Sequence, residues 1–173
     1  HHCFCKSFDH HMGNRCTVES EKLVELPGFE KPFEQSYTLG KKIAEKVLHV
    51  KHNLTGQPRV VYRLKKSLHA CQDGEELSQR IKTLMAFDHP STCRLFDAFD
   101  SGAQTMLVYT LVEGKPMTMY LASITDAAKL ENQVLSIFLQ IFRALAVSLE
   151  ASISHGAFSS KNVLVNTSGK ICV

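Results

Sequence analysis

The stretch HGAFSSKNVLV, from His155 to Val165, raises the question of whether this chain carries a catalytic loop. It places a histidine, a short polar segment and Asn162 directly before an apolar run, which is the outline of a catalytic loop that leads into a strand. A loop of this kind needs a carboxylate two residues after the histidine, because proton transfer requires a positioned acid or base. Ala157 occupies that position, so the outline is present without the base.

Composition excludes several classes of protein. The chain has 173 residues, of which 44% are hydrophobic and 21% charged, as in a soluble globular domain. The basic residues behind the net charge of +3 are scattered, which argues against nucleic acid as a partner. No uninterrupted apolar run approaches the roughly 18 residues that predict a transmembrane helix. The six cysteines form no CxxC pair, and we expect a reducing, cytoplasmic location.

Residues 1–36 lack sustained hydrophobic periodicity and are predicted to form a leader or linker. Within them, MGNRCT satisfies the M-G-x-x-x-[ST] pattern for N-myristoylation of Gly13, if Met12 is the true start. Because a single myristoyl chain binds membranes weakly, palmitoylation of Cys16 would supply a second anchor. The alternative is a chance Met-Gly pair in a disordered leader. Membrane association is therefore an expectation that depends on the start site.

From Tyr37 onward the sequence predicts strands and helices in a defined order. Three strands are predicted between Tyr37 and Leu68, followed by a helix in which Asp73 and Glu76 form a capping-box pair. Two further strands meet near Ser101, and EGKPM then breaks the pattern. A long helix is predicted over residues 126–151, because its apolar residues recur at helical spacing. Two short strands, NVLV and KICV, end the chain.

This order and three motifs resemble the protein kinase fold over Tyr37–Val173, and most closely the calcium-dependent and calmodulin-dependent serine/threonine kinases. FDHPSTCRLFDAFD resembles the segment after the regulatory helix, MLVYTLVEGKPM resembles the hinge, and QIFRALAVSLEASISHGAFSSKNVLV resembles the run into the catalytic loop. The resemblance implies an α+β, protein-kinase-like fold. It comprises a five-stranded antiparallel N-lobe with one regulatory helix and a hinge (37–113), and the first part of a helical C-lobe (114–173). The expected Asp-Phe-Gly segment would follow Val173.

The nucleotide site implied by the resemblance is incomplete. The Gly-rich loop, whose glycines let backbone N–H groups approach phosphates, keeps one glycine of three. Glu45 would add an unfavourable negative charge there, which Lys42 would partly offset. Tyr109 takes the gatekeeper position. The positions implied to contact a nucleotide are Gly40, Val47, Tyr109, Thr110 and Val112.

The charged residues that perform phosphoryl transfer in kinases are replaced in this chain. Tyr62 takes the position of the strand lysine, Arg80 that of the helix glutamate and Ala157 that of the catalytic aspartate. Arg63 and Lys65 lie near the lysine position. Strand alternation turns both away, and only a local bulge would bring Arg63 inward.

Two polar residues of the loop remain to be assigned. Asn162 matches the metal-binding asparagine of kinases, and it either retains some Mg binding or caps the loop with its side chain. His155 is expected to be a packed core histidine rather than a catalytic group. No D-x-D-x-D-G-type calcium loop occurs in the sequence, so calcium regulation is an expectation from the resemblance alone.

Three interpretations follow. The favoured one is a pseudokinase that acts by binding and regulating protein partners, with ATP and Mg binding that is weak or absent. The second is an active serine/threonine kinase, which would need Arg63 or Lys65 to contact phosphate and another carboxylate in place of Ala157. The third is a non-functional fragment, in which half a C-lobe leaves the apolar stripe of the 126–151 helix partly uncovered.

Overall fold

A computed structural model describes residues 26–65, 74–101, 103–156 and 158–173, which divide into two compact units. Of these residues, 26–87 and 94–111 form the first, which we call the sheet unit. Residues 88–93 and 112–173 form the second, the helical unit.

The sheet unit is built on a five-stranded antiparallel sheet in the order β1-β2-β3-β5-β4, which confirms the expected N-lobe. One short helix precedes the sheet and one longer helix lies beside β4. The elements are α1 (Phe33–Ser36), β1 (Tyr37–Ala44), β2 (Val47–His52), β3 (Pro58–Lys65), α2 (Gly74–Ala86), β4 (Leu95–Asp100) and β5 (Gln104–Thr110). The predicted cap Asp73 lies outside the described residues.

Aromatic and β-branched side chains form the core on one face of this sheet. Val61 lies opposite Leu48 on β2 and Val108 on β5, so the central strands supply the aliphatic part. Tyr37 stacks on Phe33 with a centroid distance of 5.5 Å. The Tyr37 hydroxyl donates a hydrogen bond to Oδ2 of Asp97, 60 residues away in sequence. This bond ties the first strand to the edge strand β4.

The helical unit combines two helices with a small three-stranded sheet in the order β6-β7-β8. The helix α4 begins after Asp126, whose carboxylate accepts a hydrogen bond of 2.7 Å from the Lys129 amide, and it closely matches the predicted helix. The β6 strand and α3 form where the sequence predicted a break. The elements are β6 (Lys115–Pro116), α3 (Met117–Ala122), α4 (Ala127–Glu150), β7 (Leu164–Val165) and β8 (Ile171–Cys172).

The helix α4 packs its Ile137 and Ile141 against a cluster of buried apolar residues from β7, β8 and their flanks. It leaves other apolar residues exposed, with Phe142 at 64% and Leu149 at 78%. Within the described part of the chain, α4 alone has the length and composition of a membrane-spanning helix, with a mean hydropathy of 1.4. Core helices of soluble proteins also meet this criterion, so the finding is weak evidence for a membrane span.

The segment 88–93 is held to the end of the chain by backbone hydrogen bonds. The Val173 amide donates to the Ser91 carbonyl at 2.9 Å, and the Cys93 amide donates to the Val173 carbonyl at 3.1 Å. The sulfur atoms of Cys93 and Cys172 lie 2.7 Å apart. The segment that precedes β4 in sequence therefore belongs to the helical unit.

Replacing Tyr37 with Phe removes the hydroxyl that donates to Asp97 and keeps the ring in the aromatic cluster. We expect the free energy of unfolding to fall by about 1–3 kcal/mol, because a partly buried hydrogen bond to a carboxylate is lost. Urea denaturation measures the change. Tyr120→Phe, which removes a hydrogen bond to Gln133 in the helical unit, is the matched control.

The stability of the same variant, Y37F, should also depend on pH differently from that of the wild type. Burial, and then the hydrogen bond to Asp97, raise the pKa of Tyr37 well above its ordinary value. A group whose pKa is raised on folding stabilises the folded state fully below its unfolded pKa, which is about 10 for tyrosine. That stabilisation declines as the pH rises above this value. Y37F should therefore lose less stability than the wild type between neutral and strongly alkaline pH. Parallel alkaline profiles of the two proteins would contradict this expectation.

Gly114 allows β6 to approach β7 closely. A Cβ atom at this position would lie 2.8 Å from the carbonyl oxygen of Val165, closer than real contacts of this kind. Gly114→Ala should therefore push β6 away from β7 and lower the free energy of unfolding by about 1–3 kcal/mol. Glu113→Ala, an exposed change next to it, is the control, and hydrogen exchange at β7 and β8 is the measurement. Equal exchange in the two variants would show that the close approach is not required.

Candidate functional site

The position expected for the strand lysine holds a buried aromatic residue. Tyr62 is 5% exposed and lies opposite Val47 on β2 and Leu107 on β5. The register of β3 against β5 runs without a shift from Arg59 to Lys65, so this part of β3 contains no bulge. Arg63 lies opposite Met106, on the face that carries the aromatic core. The structure therefore turns Arg63 away from the face of Tyr62.

The position expected for the helix glutamate holds a cation on the surface of α2. The Arg80 guanidinium pairs with the Glu76 carboxylate one turn earlier at 2.5 Å, and the two side chains are 51% and 57% exposed. The buried stripe of α2 consists instead of Leu77, Ser78 and Ile81. Arg80 is thus oriented toward solvent and used in an (i, i+4) ion pair on its own helix.

Gly40 is explained by strand packing. The pairing of β1 with β2 shifts register between Leu39 and Lys42, with Gly40 inside the irregularity. A Cβ at Gly40 would lie 3.0 Å from the carbonyl oxygen of His49, so a larger residue would press on β2. The one glycine that remains from the expected phosphate loop has a structural reason of its own.

The remaining nucleotide positions divide between the two units. Val47 and Tyr109 share one face of the sheet, because Val47 pairs with Tyr62 and Tyr109 pairs with Val60, two residues earlier on β3. Thr110 ends β5, and its amide donates to the Arg94 carbonyl at 3.0 Å. Gly40, Val47, Tyr109 and Thr110 belong to the sheet unit, whereas Val112 and Asn162 belong to the helical unit.

The loop before β7 is built from buried polar residues. His155 is 9% exposed and meets the Phe158 ring edge-on at 5.8 Å. Burial lowers the pKa of His155, which favours the neutral imidazole. Asn162 is 6% exposed, and its backbone N–H closes a turn by donating to the Ser159 carbonyl at 2.9 Å. The burial of His155 is what we expect of a packed histidine, while capping of the loop by the Asn162 side chain and Mg binding by Asn162 both stay predictions.

Some predicted site residues have no structural description. Ala157, Gly13 and Cys16 all lie outside the described residues. Within the described ranges, no group of three or more His, Cys, Asp or Glu side chains is placed to hold a metal ion. Sequence reasoning missed an open cavity of about 410 Å³ in the helical unit, lined in part by Ser148, Ser152 and His155. The serines belong to no sequence motif, so the sequence could not predict this cavity.

Comparison with known proteins assigns the family. The model of the protein kinase domain matches residues 33–173, and the chain therefore belongs to the protein kinase domain family. A similar solved structure is the crystal structure of Rad53 1-466 in complex with AMP-PNP, with a TM-score of 0.67 and 17% identity. The match covers 81% of this chain and 38% of that one, and at this identity it shows the fold alone. No curated protein matches the chain significantly.

The burial of His155 predicts a loss of stability in mild acid. Because the pKa of His155 is lowered on folding, protons bind the unfolded chain first as the pH falls below the unfolded pKa of about 6.5, and stability decreases there. The melting temperature of the His155→Gln variant should therefore change less between pH 8 and pH 5 than that of the wild type. His49→Gln serves as the control. An unchanged slope in His155→Gln would mean that other groups produce the acid sensitivity.

Proposed function

We propose that this kinase domain is a pseudokinase of the serine/threonine, calcium-dependent type that acts by binding and regulating protein partners. The observation that carries the proposal is the strand register that buries Tyr62 at the lysine position. Phosphoryl transfer requires a cation that holds the phosphates and neutralises developing charge. A buried phenol carries no positive charge, and the register keeps Arg63 on the opposite face.

The other replaced positions point the same way. The Arg80 cation is paired with Glu76 on the outside of α2, so the helix presents a positive side chain where kinases present a carboxylate. Ala157 removes the group that would accept the substrate proton. Catalytic residues that act as a unit are strongly non-additive, and losing one member already removes most of the rate.

Weak nucleotide binding is compatible with this proposal. AMP-PNP is present in the Rad53 structure, but the low identity means that its binding does not transfer to this chain. Val47 is apolar and partly exposed, which favours contact with a base rather than with phosphates. The Tyr109 ring on the same face is 5% exposed and adds little surface for such contact. With Asn162 as the one retained metal-binding position in the sequence, Mg should add little to ATP affinity.

The active-kinase alternative would need Arg63 or Lys65 on the face of Tyr62. The continuous register of β3 against β5 places both on the other face, so this alternative has no cation available from β3. The helix α4 exposes apolar residues that a partner or further sequence would have to cover for the chain to stay soluble. This is what the fragment interpretation expects. The chain spans 38% of the Rad53 chain that it matches, so the activity of any longer protein is itself a proposal.

Nucleotide binding and phosphoryl transfer can be measured on the purified chain. We expect 1 mM ATP to raise the melting temperature by less than about 2 °C, with or without Mg, because a millimolar dissociation constant yields well under 1 kcal/mol. Transfer of labelled phosphate to Ser/Thr peptides should equal the background without protein. Transfer above background that disappears in Asn162→Ala would overturn the proposal.

The variant Tyr62→Lys tests whether a lysine at this position is enough to restore the nucleotide site. We expect this variant to lose stability by about 2–5 kcal/mol, because the new ammonium group is buried at a site where Arg80 offers no opposite charge. Tyr62→Met is the matched control of similar length without charge. A stable Tyr62→Lys protein with strong Mg-dependent ATP binding would show that the site is otherwise intact and would contradict the proposal.

A further inference from the structure

Two cysteines that are 79 residues apart in sequence meet in the helical unit. Their sulfur atoms lie 2.7 Å apart, and both residues are present as thiols. Cys93 comes from the segment 88–93 and Cys172 comes from β8, so both belong to the same compact unit. The sequence does not pair them, since no CxxC spacing connects them. The tertiary structure therefore creates a dithiol that the proposed function does not use.

Backbone hydrogen bonds hold the two cysteines in place. The Val173 amide donates to the Ser91 carbonyl at 2.9 Å, and the Cys93 amide donates to the Val173 carbonyl at 3.1 Å. On β8, Cys172 pairs with Leu164 of the neighbouring strand β7. Each cysteine therefore belongs to a stretch of main chain that is already paired, so the approach of the two sulfur atoms does not depend on the chance meeting of loose loops.

Side-chain alternation turns Cys172 away from the apolar cluster of the helical unit. Its neighbours Ile171 and Val173 both pack in that cluster, together with Ile137 of α4. Because successive side chains of an extended segment point to opposite faces, Cys172 lies on the other face, where it meets Cys93. A bond between the two sulfur atoms would therefore leave the packing of the cluster intact.

The two cysteines differ in their access to solvent. Cys172 is 7% exposed, whereas Cys93 is partly exposed. A small oxidant in solution would thus reach the sulfur of Cys93 first, with Cys172 beside it as the resolving thiol. The S–S distance of a disulfide is about 2.05 Å, so a sub-ångström shift of the two sulfur atoms is enough to form the bond.

We propose that Cys93 and Cys172 form a reversible disulfide, and that this bond is a redox switch that locks the segment 88–93 onto β8. With hydrogen peroxide as the oxidant, the Cys93 sulfur attacks one peroxide oxygen, the O–O bond breaks, and a sulfenic acid and water result. The Cys172 sulfur then attacks the Cys93 sulfur, and a second water leaves as the S–O bond breaks. The thiol pair loses two protons and two electrons in total. Two molecules of glutathione reverse the reaction by thiol–disulfide exchange and leave as glutathione disulfide.

A reversible bond suits the reducing compartment that the sequence predicts, because the disulfides found there are usually transient. In the reduced state, backbone hydrogen bonds hold the segment 88–93 to the end of the chain, and such a connection can open locally. In the oxidised state, the disulfide also closes a long loop in the unfolded chain and removes conformational entropy from it. Oxidation should therefore stabilise the folded chain. None of these steps rests on the proposed function.

Oxidation of the purified full chain with hydrogen peroxide tests the proposal. Peptide mapping should find Cys93 joined to Cys172, and the melting temperature should rise by about 5 °C or more. Millimolar reduced glutathione should reverse both changes. Cys93→Ala should abolish the shift in melting temperature. Cys71→Ala keeps the pair, so it is the matched control and should show the shift in full.

Hydrogen exchange gives a second readout on the wild type alone. The amides of Cys93 and Val173 should exchange about tenfold more slowly after oxidation. The absence of a bond, or a bond from either cysteine to another cysteine or another chain, would overturn the pairing. A bond that resists glutathione would be a permanent disulfide and would overturn the switch, and unchanged exchange or melting temperature would overturn the locking. Phosphoryl transfer by the reduced chain would overturn the proposed function alone.

Discussion

The pairing of β3 with its two neighbours is the constraint on which the rest of the sheet unit depends. Side chains alternate along a strand, so a slip of one residue would move every side chain of β3 to the other face. Val61 is fixed on the aromatic core by Leu48 and Val108, and Tyr62 is thereby fixed on the opposite face. The same register that stabilises the fold therefore decides that no cation from the middle of β3 reaches the face where kinases hold phosphates.

The loss of an ion pair changes what holds α2 in place. In a kinase with the lysine and glutamate, charge attraction links the helix to the sheet. Here Arg80 pairs with Glu76 on the exposed surface of α2. The described polar contact from its buried stripe goes from the Ser78 hydroxyl to the carbonyl of Pro27.

The two units differ in how local their stabilising contacts are. The helical unit depends on one long amphipathic helix, whose cap at Asp126 and apolar stripe are encoded within about two dozen residues. The sheet unit depends on contacts that are distant in sequence, such as Tyr37 with Asp97 and Leu26 with Asp100, 60 and 74 residues apart. Its folding must therefore close long loops before these bonds form, which costs more chain entropy.

The sequence alone determined the kinase resemblance, the five main strands, the long helix and the identities of Tyr62, Arg80 and Ala157, because periodicity, caps and motifs are local patterns. Only the tertiary structure decided that Leu26 and Phe29 are buried and that β6 forms at Lys115–Pro116. Each of these depends on a partner far along the chain: Asp100 for Leu26, and Val165 for β6. Local patterns carry no information about such partners, since a short apolar segment or a two-residue strand is stable only against the surface that it meets.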